Sequence, residues 1–120
     1  MPSTLLIGHA GEDAAADYLH SIGYLIRGRN VRLGHDEIDV VAYDPVDRAV
    51  VFAEVKSLAR KRYADAHPAA NFSGQKKRRT LRAARKWAAL HHYDGSYRVD
   101  LICVIGSRVI EHLREVNFSY

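Results

Sequence analysis

Two short acidic segments of this chain carry residue types that suit metal-dependent hydrolysis. Glu54 and Lys56 lie in the run VVFAEVKS, and Asp39 lies in the run EIDVVAYD. Side chains alternate between the two faces of a strand, so Glu54 and Lys56 share a face, and a hairpin between the runs can place Asp39 opposite Glu54. Two carboxylates at that distance repel each other, which makes sense if a divalent cation lies between them.

Mg²⁺ (or Mn²⁺) suits such a site because it prefers oxygen ligands and is often held by one or two carboxylates plus a substrate phosphate. We therefore expect Asp39, Glu54 and the backbone carbonyl of Val55 to bind the cation. Lys56 would lie beside it and hold or help to deprotonate a water molecule, as phosphodiester hydrolysis requires. A simpler interpretation stays open: Glu54 and Lys56 face water and pair with Asp39, for less than ~1 kcal/mol.

The basic residues are concentrated in one part of the chain. Eleven of the 18 Lys and Arg residues, but one of the 14 acidic residues, lie between Lys56 and Lys86, while the net charge is only +4. This asymmetry indicates a polyanionic partner, with a solvated basic face as the alternative. No pattern of base-reading residues appears, so we expect salt-sensitive contact with the nucleic-acid backbone. The side chains expected to make it are Arg60, Lys61, Arg62, Lys76, Lys77, Arg78, Arg79 and Arg82.

Hydrophobic periodicity predicts two helices and five strands in the order αβββαββ. The helices are expected over residues 3–22, ended by Gly23, and over residues 73–92, capped by Ser73. The strands are expected over residues 24–33, 37–44, 49–57, 97–106 and 108–116, with a hairpin turn at Pro45 and another turn at Gly106. This order predicts an α/β fold with a central mixed sheet and helices packed on it. Because no linker is visible, we expect a single domain over residues 1–120.

Several functional classes are disfavoured by composition. Cys103 is the only cysteine, so an internal disulfide and a zinc site built from several thiolates are both excluded. The sequence has no apolar stretch of the length that a membrane-spanning helix needs, and its first residues lack the pattern of a signal peptide. We therefore expect a cytoplasmic protein with no membrane partner.

The motifs GEDAAADYLHSIGY, DEIDVVAYD, VVFAEVKS and QKKRRTLRAARKW together resemble the YraN family of small bacterial proteins. That family is similar to the restriction-endonuclease-like superfamily of PD-(D/E)xK nucleases, and within it to the archaeal Holliday-junction resolvases. The resemblance implies a restriction-endonuclease-like fold, a magnesium site at the hairpin and action on DNA.

The resemblance also implies roles for individual residues. Asp39 matches the aspartate of the motif, and Glu54 and Lys56 match its (D/E)xK part. Glu12 matches an additional acid on the first helix of resolvase-like members, and Gln75 matches a polar residue on the following helix. In contrast, Asp36 stands where the family usually has glycine, and whether Asp36 or the nearby Glu37 takes part in the metal site stays open.

These observations predict a Mg²⁺-dependent, endonuclease-like protein that hydrolyses phosphodiesters in DNA, including branched or structured forms. The resolvase resemblance implies a homodimer, because a four-way junction presents two strands for cleavage. Two alternatives stay open. The first is a catalytically silent nucleic-acid-binding module on a nuclease scaffold, and the second is a structural or partner-binding protein whose basic strip contacts an acidic protein.

Overall fold

The computed structural model describes residues 4–58 and 74–115, and the side chains of residues 9–58 and 78–115. Within these ranges the chain forms two helices and five strands in the order that the sequence predicts, αβββαββ. The elements are α1 (Thr4–Ser21), β1 (Leu25–Leu33), β2 (Asp36–Asp44), β3 (Ala49–Ser57), α2 (Gly74–Leu90), β4 (Ser96–Ile105) and β5 (Arg108–Leu113).

The five strands form one mixed sheet in the order β1-β2-β3-β4-β5. Neighbouring strands are antiparallel except β3 and β4, which run parallel. Parallel strands cannot be joined by a tight turn, so a crossover containing α2 connects them. The expectation of an α/β fold with a mixed sheet and packed helices is confirmed.

The two helices cover opposite faces of the sheet. On one face Ala15 and Leu19 of α1 pack against alternate residues of the central strands, such as Val51 and Ala53. On the other face Ala83 and Ala84 of α2 pack against the remaining strand residues, which include Val41, Val50 and Phe52. Because β3 is central and covered on both sides, most of its residues are buried, which explains its near-continuous apolar run.

Each helix ends in a backbone motif that stops further helical bonding. At the end of α1, Gly23 has a φ of 97°, its N–H bonds to the carbonyl of His20, and the N–H of Tyr24 bonds to the carbonyl of Leu19. This is the Schellman pattern, so the predicted stop at Gly23 is confirmed. At the end of α2 the same pattern forms around His92, which has a φ of 51°. The position of Ser73 lies outside the described residues.

A buried ionic network occupies the face of the sheet that α1 covers. Arg98 on β4 donates hydrogen bonds to Asp44 and Asp100, to the exposed Asp47, and to the hydroxyl of Tyr24. Burial disfavours the charged form of Arg98, but the bonds to these acids outweigh it, and the pKa of Arg98 is raised. The network therefore joins β4 to the end of β2 and to the start of β1.

Asp100 is the most deeply buried member of this network, with a side chain that is 0% exposed. Burial alone would raise the pKa of Asp100. Its bonds with the His112 imidazole (2.7 Å), the backbone N–H of Glu115 (2.9 Å) and Arg98 lower it instead. Tyr18 on α1 bonds to the other nitrogen of His112 at 3.0 Å. Asp100 thus connects α1 and β5 to the sheet.

Among the described residues, none of the helices is both long enough and apolar enough to cross a membrane.

Replacing Asp100 by asparagine should strongly destabilise the protein. The asparagine side chain keeps the shape but cannot balance the buried charge of Arg98, and breaking a buried ion pair costs about 3–5 kcal/mol. The matched control is Asp47→Asn, which touches the same guanidinium from a side chain that is 56% exposed and should cost less than ~1 kcal/mol. Urea unfolding of both variants measures the difference, and equal losses would contradict the structural importance of the buried network.

The same network predicts the sign of the pH dependence of stability. The pKa values of Asp44 and Asp100 are lowered from 3.8 in the folded chain. Their stabilisation is therefore fully present above that value and is lost as the pH falls through their folded pKa values. Urea unfolding between about pH 5 and pH 2 should show the free energy of unfolding falling with acidification. The fall should be shallower in Asp100→Asn, and an identical slope would rule out Asp100 as a contributor.

Candidate functional site

The candidate carboxylates lie where the β2–β3 ladder ends. The paired residues run from Asp44 with Ala49 to Val40 with Ala53. The next residues along the two antiparallel strands are Asp39 and Glu54. The hairpin that the sequence predicts therefore forms in a register that brings these two acids to the same level of the sheet.

The Asp39 side chain bonds directly to the neighbouring strand. Its Oδ2 atom accepts a hydrogen bond of 2.8 Å from the backbone N–H of Val55. Because Val55 follows Glu54, this bond fixes the Asp39 carboxylate within one residue of Glu54. The structure thus holds the Asp39 carboxylate at the backbone of Val55, the residue after Glu54.

The side chains of β2 do not alternate regularly between the two faces of the sheet around Asp39. In regular alternation Ile38 and Val40 would point to the same side. Instead, Ile38 lies in the core beneath α2, together with Val41, and Val40 lies in the core beneath α1. The alternation is thus interrupted at Asp39, whose side chain bonds to β3. For the residues before Asp39, sequence spacing alone therefore does not predict which face of the sheet a side chain points to.

Glu54 is buried and lines a polar cavity of about 180 Å³ between the sheet and the start of α2. The face is expected from alternation, because Phe52, two residues earlier, packs against α2. Asp39 is not among the residues that line this cavity. The lining residues are His35, Asp36, Glu37, Glu54, Arg79 and Thr80.

Lys56 lies on the same face as Glu54 and is in register with Cys103 on β4. Burial raises the pKa of the Cys103 thiol to about 11, with a further increase from Glu111, while the Lys56 ammonium group opposes the shift. The thiol is therefore protonated and buried.

Asp36 forms an ion cluster with α2, which the sequence does not reveal. Its carboxylate, only 4% exposed, accepts bonds from Nε and Nη2 of Arg82 at 2.8 and 2.7 Å and from Nζ of Lys86 at 3.1 Å. The Arg82 and Lys86 bonds hold the pKa of Asp36 well below its usual range. Both carboxylate oxygens accept bonds from these residues, so Asp36 attaches α2 to the sheet.

Glu37, by contrast, is exposed and lines the cavity. The sequence left open whether it faces outward or assists a metal, and its position at the rim of the cavity is compatible with contact to a bound ligand.

The described basic side chains of α2 are exposed: Arg78, Arg79, Arg82, Arg85 and Lys86. Of the other basic residues expected to contact nucleic acid, Arg60, Lys61 and Arg62 lie outside the described residues. Gln75, Lys76 and Lys77 belong to the backbone of α2, but their side chains lie outside the described part.

Glu12 lies on α1, on the opposite side of the sheet from α2. One of its carboxylate oxygens, Oε2, is buried and has no hydrogen-bond partner among the described residues, and Nδ1 of His9 lies 4.0 Å from it. The preceding residue, Gly11, packs against Ser57 at the end of β3. Glu12 is thus near the end of the strand that carries Glu54 and Lys56, and the contacts described for it do not include Asp39 or Glu54.

The oxygen-rich donor set fits a hard divalent cation but not a softer metal. Within residues 4–58 and 74–115, no group of three or more His, Cys, Asp or Glu side chains converges as a metal centre. Mg²⁺ is commonly held by one or two carboxylates, with water and substrate phosphate completing its ligands. Asp39, Glu54 and the Val55 carbonyl match that pattern.

A family model and several relatives match the sequence of this chain. The model of the family described as "Uncharacterised protein family UPF0102" matches residues 11–104. A UPF0102 protein of Bacteroides thetaiotaomicron is 40% identical over 115 residues, which cover 93% of this chain and 92% of the relative. A UPF0102 protein of Bacteroides fragilis is 42% identical over 116 residues, with 94% and 93% coverage. A UPF0102 protein of a Mycobacterium species is 40% identical over 103 residues, with 86% and 73% coverage.

Replacing Gly11 by alanine should destabilise the protein, although alanine favours a helix by about 1 kcal/mol. An added Cβ would lie 2.7 Å from Oγ of Ser57 and 2.9 Å from Cγ2 of Val104, and overpacking of this kind costs about 1–3 kcal/mol. Removing the hydroxyl group in the double variant Gly11→Ala, Ser57→Ala should restore part of the loss. Thermal unfolding checks both expectations, and a Gly11→Ala variant more stable than the parent would show that α1 does not pack closely here.

Proposed function

This chain belongs to the uncharacterised protein family UPF0102, and from the chemistry of its hairpin we propose that it is a metal-dependent, endonuclease-like protein that hydrolyses phosphodiesters in DNA. The proposal includes a restriction-endonuclease-like arrangement of the sheet and helices, as the (D/E)xK resemblance implies, in one domain over residues 1–120.

The observation that carries the proposal is the bond between Asp39 and the Val55 N–H. It holds one carboxylate beside the strand that carries Glu54 and Lys56. Repulsion between two nearby acids is unfavourable unless a cation offsets it. A substrate phosphate would add further negative charge beside the two acids. The two acids and the phosphate together would therefore attract a divalent cation more strongly than the acids alone.

Each residue has a proposed role in hydrolysis. Asp39, Glu54 and the Val55 carbonyl would hold Mg²⁺ or Mn²⁺, which when bound supplies Lewis-acid polarisation of a phosphoryl oxygen. The Lys56 side chain would orient the attacking water as an ammonium donor, or accept its proton if it reacts as the free amine. The Asp39–Val55 bond orients a carboxylate before substrate arrives, which reduces the cost of organising the site.

The basic face of α2 supports DNA as the substrate. Five exposed cations follow each other on this helix between Arg78 and Lys86, and α2 has no acid in its first turn to offset them. Such a strip favours phosphate contacts without base recognition. Roles for Arg60, Lys61, Arg62, Gln75, Lys76 and Lys77 in holding DNA, for Glu12 in assisting the cation, and for a homodimer acting on branched DNA remain predictions from the sequence.

The two alternatives make different demands on the same residues. A binding module without turnover needs the basic strip but not the acids, and a partner-binding protein needs neither nucleic acid nor metal. The position of Asp39 and Glu54 favours the enzyme, because a module that only binds DNA gains nothing from acids beside its phosphate-binding surface.

Glu54→Gln should abolish metal-dependent cleavage, with a loss of at least about 100-fold, because a metal ligand should matter no less than the outer residues whose loss costs 10–100-fold. The assay incubates supercoiled plasmid, linear duplex and a four-way junction with Mg²⁺, Mn²⁺ or EDTA. Asp17→Asn is the control, since it removes an exposed acid on α1, which packs on the other face of the sheet, and it should retain most of the activity.

The outcomes separate the three functions. Cleavage that needs metal and is lost in Glu54→Gln supports the enzyme. Salt-sensitive DNA binding in EDTA, with no cleavage under any condition, would replace the proposal with the binding module. The absence of any salt-sensitive binding to DNA would leave the partner-binding protein. Circular dichroism of both variants controls for loss of folding.

A further inference from the structure

The basic residues of α2 fall into two stripes along the helix. Arg79, Arg82 and Lys86 are spaced i, i+3 and i+7 and form a first stripe, while Arg78 and Arg85 are spaced i and i+7 and form a second stripe beside Arg82. The first stripe supplies the two cations that bond to Asp36 of β2, which are Arg82 and Lys86. The five cations are therefore not equivalent.

Asp36 forms ion pairs with two of the three cations in that first stripe. Arg82 uses two of its nitrogens on the Asp36 carboxylate, and Lys86 contacts both that carboxylate and the carbonyl of Leu33 at 3.4 Å. The Asp36 side chain is nearly buried, so these bonds are better shielded from water than an ordinary surface ion pair. Binding phosphate through Arg82 would require these bonds to be given up or shared.

Arg79 is the remaining cation of the stripe. It lines the cavity that Glu54 also lines, beside the buried Thr80. Within the part of the chain whose side chains are described, Arg79 forms no ion pair or hydrogen bond. An exposed guanidinium group at the rim of a cavity that contains a buried carboxylate has its donors available for an anionic ligand.

We propose that Arg79 contacts the phosphate that lies in the cavity beside Glu54, and that Arg82 and Lys86 instead attach α2 to Asp36. The inference rests on the proposed function and refines it, because it assigns substrate contact at the cleavage position to one arginine among several. The sequence predicts that Arg82 contacts nucleic acid. The inference instead assigns the Arg82 guanidinium group mainly to its ion pair with Asp36.

The chemistry of the cavity supports a phosphodiester as the ligand. The planar guanidinium group can donate two parallel hydrogen bonds to two phosphate oxygens, which a lysine cannot do. A cation held by the acids and the fixed charge of Arg79 would approach the phosphate from two directions, since Glu54 is on the sheet and Arg79 is on the helix. Their combined positive charge offsets the repulsion between the phosphate and the cavity carboxylates.

The test compares Arg79→Ala, Arg79→Lys and Arg85→Ala in cleavage of a duplex with Mg²⁺. Arg85→Ala is the matched control because it removes an exposed arginine from the other stripe of the same helix. We expect Arg79→Ala to lower kcat by about 100-fold, in the range seen when one stabilising donor is removed from a reacting centre. Arg85→Ala should raise KM a few-fold and leave kcat unchanged. Arg79→Lys should recover only part of the loss, because the second hydrogen bond is missing.

A second measurement does not depend on turnover. With Ca²⁺ as the cation, which takes the same kind of oxygen ligands as Mg²⁺, addition of a short DNA duplex should shift the NMR resonance of the Arg79 side-chain Nε–H, while that of Arg82 stays nearly unchanged because its Nε remains bonded to Asp36. A shift of Arg82 alone, or equal kcat effects of Arg79→Ala and Arg85→Ala, would overturn the inference. If the parent protein cleaves no DNA but Arg79 still shifts, hydrolysis fails as the proposed function while the phosphate contact of Arg79 is supported.

Discussion

The candidate site depends on one hydrogen bond, which the Asp39 carboxylate accepts from the backbone N–H of Val55. It forms just beyond the last paired residues of β2 and β3, where a side chain takes the place of a backbone acceptor. The bond both connects the strands and fixes a carboxylate beside Glu54. It also coincides with the change of faces along β2 between Ile38 and Val40. The irregularity of the sheet thus coincides with the bond that holds the Asp39 carboxylate at the backbone of β3.

The two faces of the sheet use charge in different ways. Beneath α1, Arg98 is surrounded by acids and a tyrosine hydroxyl, and Asp100 is fully buried among its donors. Such a network is costly to disrupt and connects distant elements. Beneath α2, Asp36 binds two cations at the edge of a cavity, and Arg79 lies at its rim without a described ionic partner. The charges of Arg98 and Asp100 are therefore balanced within the protein, whereas Arg79 on the second face has donors available for a ligand.

Much of the fold could be predicted because local signals agree with tertiary packing. The apolar run of β3 predicts a central strand, and its place between β2 and β4 explains why both of its faces are buried. Gly23 predicts the end of α1 because only a residue that tolerates positive φ suits that position. The role of Asp36 was not predictable in this way. Its partners, Arg82 and Lys86, are 46 and 50 residues away in sequence, and no local pattern indicates which of several cations an acid will meet.

The sequence by itself determined the order of helices and strands, the hairpin of β2 and β3, and the set of acids and cations from which a site can be built, because turn residues and hydrophobic periodicity act over a few positions. Only the tertiary structure decided how these charges are shared. It pairs Asp36 with Arg82 and Lys86, and it places Arg79 and Glu54 around one cavity. The physical reason is that such pairings depend on how α2 lies across the sheet, and that placement follows from the packing of Ala83 and Ala84 against Phe52 and Val41.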